Sequence, residues 1–208
     1  MVTMPTGEEP PKKFAEFAKY EENRKGLEGL RADHVLSSQL APIEIAELRT
    51  FFEKHHESAT SYAGATPRME KDLHFEYGLH LTPIGRTATD MIVMRAYDNG
   101  ELVGYSYVIY GWPRPEAWVI DYLLVDPLGT DEATAEDIAS LMLDRLAGLI
   151  AHAGFDAAYL VAITGDESTD EFWTSRGFEE YTAGFAPHVE ESLRRTYSLT
   201  IKSADAAS

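Results

Sequence analysis

The tripeptide Asp98-Asn99-Gly100 separates two runs of β-prone residues, 91–97 and 102–110. An Asn-Gly pair between two such runs predicts a tight β-hairpin, because both central residues of that turn need a positive φ. The apolar positions alternate on both sides of the tripeptide, as they do in half-buried strands. The middle of the chain is therefore expected to form two adjacent antiparallel strands.

A strand, a helix and a second strand are predicted after the hairpin. Residues 117–125 form a nearly continuous apolar run, and residues 159–164 form a shorter one. Between them, residues 135–153 carry an amphipathic helical stripe that Gly154 ends. The stripe consists of Ile138, Leu141, Met142, Leu146 and Leu149. A unit of this kind predicts two neighbouring parallel strands, so the sheet is expected to be mixed.

Weaker signals complete the predicted order of elements. We expect further strands at 34–40, 180–185 and 193–201, helices at 42–55 and 68–80, and a helical turn at 169–175. Residues 58–67, which are rich in Ser, Thr, Ala and Gly, are interpreted as a loop. The predicted order is β-α-α-β-β-β-α-β-α-β-β, an antiparallel meander and a parallel crossover in one mixed α/β sheet.

The length of 208 residues suits one substantial domain with an arm and is too short for two ordinary domains. We expect the domain to occupy residues 36–202, followed by a disordered tail at 203–208. Residues 1–35 carry an amphipathic pattern broken by Gly26 and Gly29. This pattern predicts either an arm that docks elsewhere or a helix that covers the main core.

Composition excludes several classes of site and partner. The chain has no cysteine, which excludes a disulfide framework, a thiolate zinc site and a cysteine nucleophile. Adjacent side chains on a helix point about 100° apart, so His55 and His56 cannot chelate one ion, and we expect no metal.

A net charge of −17 without a basic stripe argues against nucleic acid as a partner, and no apolar run is long enough to span a membrane. We expect a cytoplasmic protein whose acidity serves solubility or attracts a cationic substrate such as an amine.

Three segments, taken in order, resemble the acyl-CoA-dependent N-acyltransferase superfamily, usually called GNAT. They read Gly-Glu-Leu-Val-Gly-Tyr at 100–105, Val-Ile-Asp-Tyr-Leu-Leu-Val-Asp-Pro at 119–127 and Glu-Phe-Trp-Thr-Ser-Arg-Gly-Phe at 171–178. The resemblance spans roughly residues 36–202 and implies a GNAT-like fold. It also implies an acyl-CoA or acyl-pantetheine donor, held in a gap between the family's fourth and fifth strands.

The resemblance assigns the donor to two adjoining places in this sequence. The pantetheine would bond to the backbone of the strand that ends at Leu124 and Val125. The pyrophosphate would lie at the N-terminus of the next helix, around Thr130, Thr134 and Ala135, where backbone N–H groups and the helix dipole favour an anion.

The loop before that helix departs from the family pattern. It has one glycine, Gly129, where the family has two or three, and no Lys or Arg occurs from 115 to 144. Carboxylates surround the expected pyrophosphate site: Asp126, Asp131, Glu132, Glu136 and Asp137. Thr134 and Asp137 also predict a capping box, in which the helix bonds its own amides. We therefore predict weak or absent CoA binding by this loop, and an acyl carrier protein as the alternative donor.

Candidate residues for the chemistry lie on the same strands. Trp173 would lie close to the donor sulfur, where many relatives place a tyrosine acid, but an indole N–H is no acid near neutral pH. Asp121 interrupts an apolar strand, and by resemblance it is the base or ammonium anchor for the acceptor amine; alternatively, it is a structural carboxylate. Tyr110, Trp112 and Tyr122 are predicted to line an acceptor pocket that prefers a flat or cationic substrate.

Three functions follow from these residues. The first is an acyltransferase that moves an acyl group from a pantetheine thioester, on CoA or a carrier protein, to a small amine. The second is a GNAT-fold enzyme repurposed to another small-molecule reaction, such as a lyase or cyclisation step. The third is a non-catalytic binding or regulatory descendant. An acyl carrier protein and a second copy of the chain, forming a homodimer, are the candidate protein partners.

Overall fold

Eight strands form one mixed sheet. A computed structural model of the chain describes residues 29–55, 60–63, 91–112, 114–126, 134–155, 157–164, 169–180 and 195–202. The strands are β1 (Leu30–Leu36), β2 (Thr60–Ala63), β3 (Met91–Asp98), β4 (Glu101–Tyr110), β5 (Ala117–Val125), β6 (Ala157–Thr164), β7 (Glu179–Glu180) and β8 (Arg195–Lys202). The helices of these ranges are α1 (Pro42–His55), α2 (Ala135–Ala151) and α3 (Asp170–Ser175), with a 3₁₀ turn at Ser37–Gln39. Within the same ranges, no helix is long and apolar enough to cross a membrane.

The strand order confirms the predicted mixed α/β fold. It runs β1-β3-β4-β5-β6-β8-β7, and β2 pairs with β5 outside this path. β5 and β6 are parallel, with Ala117 opposite Tyr159 and Ile120 opposite Ala162, and α2 forms the crossover between them. The other pairs are antiparallel. The strand that ends at Val125 therefore neighbours the strand that ends at Thr164, as the sequence predicted.

The hairpin between β3 and β4 also forms as predicted. Asn99 has φ 49° and Gly100 has φ 91°, and Asp98 lies opposite Glu101. The backbone N–H of Asn99 donates to the carbonyl oxygen of Gly29 at 3.1 Å. The hairpin tip thereby fixes the point at which the first strand enters the sheet.

The first strand begins earlier than the sequence analysis expected. β1 spans Leu30–Leu36 and pairs with β3 from Leu30 opposite Asp98, so part of the segment assigned to the arm at 1–35 belongs to the sheet. The strand starts directly after Gly29, whose φ of 105° turns the chain beside Asn99. Arg31 and Asp33 interrupt the apolar pattern of β1, so its strand signal in the sequence is weak. An edge strand can carry such polar residues more readily than a central strand can.

Other expected elements are shifted or fall on other parts of the chain. β2 lies in the segment interpreted as a loop, and β7 spans Glu179–Glu180, while the rest of the strand expected at 180–185 lies outside the described residues. The predicted helix at 68–80, most of the arm and the tail at 203–208 lie outside the described residues.

The two faces of the sheet carry separate hydrophobic cores. On the first, the α1 face, Phe51 and Phe52 of α1 are buried in one cluster with Tyr105 and Tyr107 of β4. On the second, the α2 face, the apolar stripe of α2 is buried together with alternate residues of β5, which are Trp118, Ile120, Leu123 and Val125. Each such side chain contributes about 1.5–3 kcal/mol to stability when it is fully buried. Because its side chains alternate between the two faces, β5 contributes to both cores.

A buried cation attaches α1 to the sheet. Arg95 of β3 donates through Nε to Asp33 Oδ1 of β1 at 2.8 Å, and through Nη1 to Glu44 of α1. Its side chain is only 10% exposed. Because a buried charge is tolerated when it is paired and hydrogen-bonded, the two carboxylates allow Arg95 to hold the start of α1 against β1 and β3.

The close approach of β4 to β5 depends on a glycine. A Cβ atom on Gly104 would lie 2.7 Å from Val125 Cγ1 and 3.1 Å from the Leu124 carbonyl oxygen.

We expect Gly104→Ala to lower the free energy of unfolding by about 1–3 kcal/mol, as overpacking of a core usually does. Gly148→Ala in α2 is the matched control, because no atom lies within 4 Å of the added Cβ. This control should be neutral or should stabilise by up to about 1 kcal/mol. Equal effects of both substitutions on urea unfolding would contradict the close packing.

The fold should also be less stable in mild acid because of His34. Burial first, and then the nearby Arg145, lower the pKa of His34 below its ordinary value of 6.5. The folded state thus favours the neutral imidazole, so stability is present at higher pH and is lost as the pH falls through 6.5. We expect the free energy of unfolding to decrease between pH 7.5 and 5.5, with a slope of up to about 1.4 kcal/mol per pH unit. His34→Gln should flatten this part of the profile, and an unchanged slope would show that other groups cause it.

Candidate functional site

Asp121 occupies a β-bulge in β5. Tyr122 lies opposite Tyr107 of β4, whereas Ile120 lies opposite Val108, so Asp121 is one extra residue in the β5 strand. The alternation continues across it, because Ile120 belongs to the core of the α2 face and Tyr122 to that of the α1 face. An added residue would otherwise turn every later side chain to the wrong face of the sheet. The bulge therefore accounts for a charged residue inside an apolar run.

The sheet divides at the same position. β5 pairs with β6 only from Ala117 to Ile120, before the bulge. Beyond it, β6 continues to Thr164 in its pairing with β8, while the last residues of β5 leave β6. We call the space that opens there, bordered on β5 by Leu123, Leu124 and Val125, the β5–β6 gap.

The chain's own strand β2 fills this gap. Thr60 lies opposite Val125, Ser61 opposite Leu124, and Ala63 opposite Leu123, with an irregularity between Ser61 and Ala63. The predicted donor contacts at Leu124 and Val125 are thus paired on one side with β4 and on the other with β2. The sequence analysis missed this arrangement because it interpreted residues 58–67 as a loop.

Trp173 holds β2 in place. Its side chain is fully buried, and its indole Nε1 donates to the carbonyl oxygen of Tyr62 at 3.0 Å. The ring of Tyr62 packs on Phe172 with a centroid distance of 4.1 Å. Trp173 therefore contacts the strand in the gap, at the position that the resemblance assigns to a residue beside the donor sulfur.

The N-terminus of α2 caps itself, as the sequence predicted. The Asp137 N–H donates to Thr134 Oγ1 at 3.1 Å, and the Thr134 N–H donates to Asp137 Oδ2 at 3.1 Å. Ala135 is the first residue of the helix, and Thr130 lies outside the described residues. The capping box engages amides that could otherwise bind an anion. Glu136 and Asp137 in the first turn also add negative charge, which would repel a bound pyrophosphate.

A cation from another element reaches the same turn. Arg176, which follows α3, donates through Nη1 and Nη2 to Glu136 Oε1 at 3.2 Å and through Nε to Ser140 Oγ at 3.2 Å. The sequence analysis looked for a basic residue within the loop and did not consider one from α3. An open groove of about 430 Å³ lies beside this contact, between α2 and β8, and includes Asp144 and Leu199. Because protein oxygens already engage the guanidinium, Arg176 fastens α3 to α2.

The end of β5 also meets the end of α1. His55 Nδ1 lies 3.1 Å from Asp126 Oδ2, and both side chains are largely buried. The two residues are 71 positions apart, and no local pattern could have paired them. The pair joins the end of α1 to the end of the strand that borders the gap.

The predicted acceptor residues do not form one pocket. Tyr122 lies on the α1 face with Tyr105 and Tyr107, at ring-centroid distances of 5.5 and 6.1 Å. Tyr110 packs instead against Trp118 and the core of the α2 face, while Trp112 packs against that of the α1 face. The register of β4 and β5 directs Tyr110 and Tyr122 to opposite faces of the sheet, so the structure does not bring these two side chains together.

Two buried tyrosines of the α1 face, Tyr105 and Tyr122, are protonated at neutral pH. Burial raises the pKa of the Tyr105 and Tyr122 hydroxyls above the usual value. They can donate or accept hydrogen bonds there, but an ionised phenolate would be costly.

Comparison with known proteins gives structural matches alone. No family model and no curated protein sequence matches the chain. An acetyltransferase of the GNAT family from Staphylococcus aureus is 17% identical with a TM-score of 0.53, covering 82% of this chain and 99% of that chain. An acyl-CoA N-acyltransferase from Pseudomonas aeruginosa is 11% identical with a TM-score of 0.53, covering 81% and 98%. The ribosomal-protein-S18-alanine N-acetyltransferase from Escherichia coli is 12% identical with a TM-score of 0.50, covering 83% and 96%. The chain therefore has the fold of the GNAT acetyltransferases, as its three sequence segments indicated.

Proposed function

We propose that the chain transfers an acyl group from a pantetheine thioester to a small amine, with the donor in the β5–β6 gap. The observation that supports this proposal is the division of the sheet at Asp121, beyond which the last residues of β5 leave β6 and pair with a short extended segment, β2, in the position an extended donor would take. A pantetheine arm is extended and carries amide groups, so it can bond to such an edge as a peptide does. The N-acyltransferases among the similar structures support the same reaction class.

The charges around α2 favour a donor without a pyrophosphate. The capping box and the carboxylates of Glu136 and Asp137 occupy the end of the helix that would otherwise stabilise an anion by about 0.3–1 kcal/mol. Arg176 offsets part of this charge through its contact with Glu136. A pantetheine thioester on a carrier protein avoids the adenosine and pyrophosphate, although carrier proteins are themselves acidic and the chain carries a net charge of −17.

Asp121 is the proposed base. In the transfer, the amine nitrogen attacks the thioester carbonyl, a C–N bond forms and the C–S bond breaks. Asp121, which stands at the bulge where the gap opens, would take the proton from the nitrogen. The thiolate would take its proton from solvent, since the indole of Trp173 donates to Tyr62 and is no acid.

A second candidate function is a non-catalytic binding or regulatory protein. The observation that favours it is the filled gap, in which β2 pairs with β5 and is bonded by Trp173. If β2 stays there permanently, the donor has no access.

Ligand-dependent unfolding separates the two candidates. S-acetyl-pantetheine at 100 times its Kd should add about 2.7 kcal/mol to the stability and raise Tm by roughly 5–10 °C for a chain of this size. At the same concentration, we expect acetyl-CoA to bind more weakly and to shift Tm less, because of the charge at α2. An equal or larger shift with acetyl-CoA would contradict the preferred donor. The absence of both a shift and acyl transfer to an amine would favour the non-catalytic function.

The role of Asp121 is tested by Asp121→Asn, which keeps the shape and removes the charge. As a base, Asp121 should be needed for turnover, so we expect kcat to fall by roughly 10²–10⁴ with Tm little changed. Glu101→Gln at the exposed hairpin tip is the matched control, because it removes the same charge away from the gap. A lower Tm with unchanged kcat in Asp121→Asn would make Asp121 a structural residue.

A further inference from the structure

β2 is joined to β5 by a short and interrupted ladder. It has four residues, and its register with β5 is interrupted between Ser61 and Ala63. The central strands β3 and β4, by contrast, are each paired on both sides over most of their length. Segments with few backbone bonds open locally at a much lower free energy than the core of a sheet. β2 is therefore suited to leave the sheet without general unfolding, as is the two-residue strand β7, but of the two only β2 lies in the gap.

Two side-chain contacts compensate for the short ladder. Tyr62 is buried against Phe172, and Trp173 donates to the Tyr62 carbonyl oxygen at 3.0 Å. Both partners belong to α3, which Arg176 fastens to the first turns of α2. Helix α3 thus holds β2 from the α2 face, through a hydrogen bond to Tyr62 and a contact with its ring.

The ring of Tyr62 lies beside the contact between α3 and the first turn of α2. It packs on Phe172, and the guanidinium of Arg176, which bonds to Glu136, lies 3.8 Å from the centroid of the same Phe172 ring. Burial, and next the carboxylate of Glu136, raise the pKa of Tyr62 to about 12. β2 therefore occupies the place at Leu124 and Val125 that is assigned to the pantetheine, and its Tyr62 packs beside the contact that fastens α3 to α2.

We propose that β2 is a displaceable strand that closes the β5–β6 gap, that the hydrogen bond from Trp173 to Tyr62 holds it closed, and that a donor must replace it. This regulation rests on the proposed function, since it takes the pantetheine thioester as the competing ligand. An extended amide chain makes the same backbone bonds to β5 as β2 does, so the two exclude each other.

Hydrogen exchange tests the strand without any ligand. Trp173→Phe keeps an aromatic ring and removes the indole N–H, so the amides of residues 60–63 should exchange roughly threefold to tenfold faster. The amides of β3 should keep their protection. Trp118→Phe, in the part of β5 that pairs with β6, is the control for general loss of packing. Equal acceleration in both variants, or none at 60–63 in Trp173→Phe, would overturn the proposed hold on β2.

A cross-link tests the competition with the donor. Ser61 and Leu124 are directly opposed, and directly opposed residues of an antiparallel pair have Cα atoms about 4.5–5.5 Å apart, within the range that a disulfide spans. Because the chain has no cysteine, Ser61→Cys with Leu124→Cys gives one defined bridge. The donor would bond to the backbone of β5, so the variant is compared with itself: its oxidised form should not bind S-acetyl-pantetheine, and its reduced form should bind it. Equal binding by the oxidised and reduced forms would overturn the proposal.

Failure of the proposed function gives a different result from failure of the displaceable strand. If residues 60–63 exchange faster in Trp173→Phe while no form binds S-acetyl-pantetheine, the strand is displaceable and the donor assignment is wrong. If the reduced protein binds the thioester and transfers its acyl group, but cross-linking changes neither step, the function is right and the competition is wrong.

Discussion

The site depends on one extra residue in β5. Asp121 lets the strand change register against β4 without turning its later side chains to the wrong face, so Ile120 and Tyr122 still serve opposite cores. It also ends the parallel pairing with β6, which stops at Ile120. The gap, the pairing of β2 and the contact with Trp173 all lie beyond this position. A charged residue in an apolar run thus marks a change in the path of the backbone as well as a candidate for chemistry.

Much of the central sheet could be predicted because its signals are local. Asn99 and Gly100 adopt the positive φ that their turn requires, and Thr134 and Asp137 form the cap that their spacing predicts. β1 and β2 gave weaker signals, since edge and gap strands depend on partners far along the chain. The site was predictable only at single positions. The sequence draws attention to Asp121 and Trp173 as single positions, but the bond from Trp173 to Tyr62 joins residues 111 positions apart. No spacing rule reaches that far.

The aromatic residue of α3 shows how one position can serve chemistry or structure. A tyrosine there can offer a proton to a leaving group, whereas the indole of Trp173 offers a donor that stays protonated and suits a permanent hydrogen bond. The neighbouring end of α2 behaves in the same way, since the Thr134 and Asp137 amides are bonded within the capping box. At both places, groups that could face a ligand form hydrogen bonds inside the chain.

The position of β2 in the chain also bears on the order in which the molecule folds. β3, β4 and β5 follow one another, and one crossover helix brings in β6, so these contacts close short stretches of chain. β2 pairs with β5 across the whole β3–β4 hairpin, and distant contacts of this kind form late because their loop must close first. Loop closure thus favours pairing of β3, β4 and β5 before β2 joins β5. In that order of folding, the edge of β5 at Leu124 and Val125 would be open to a ligand before β2 reaches it.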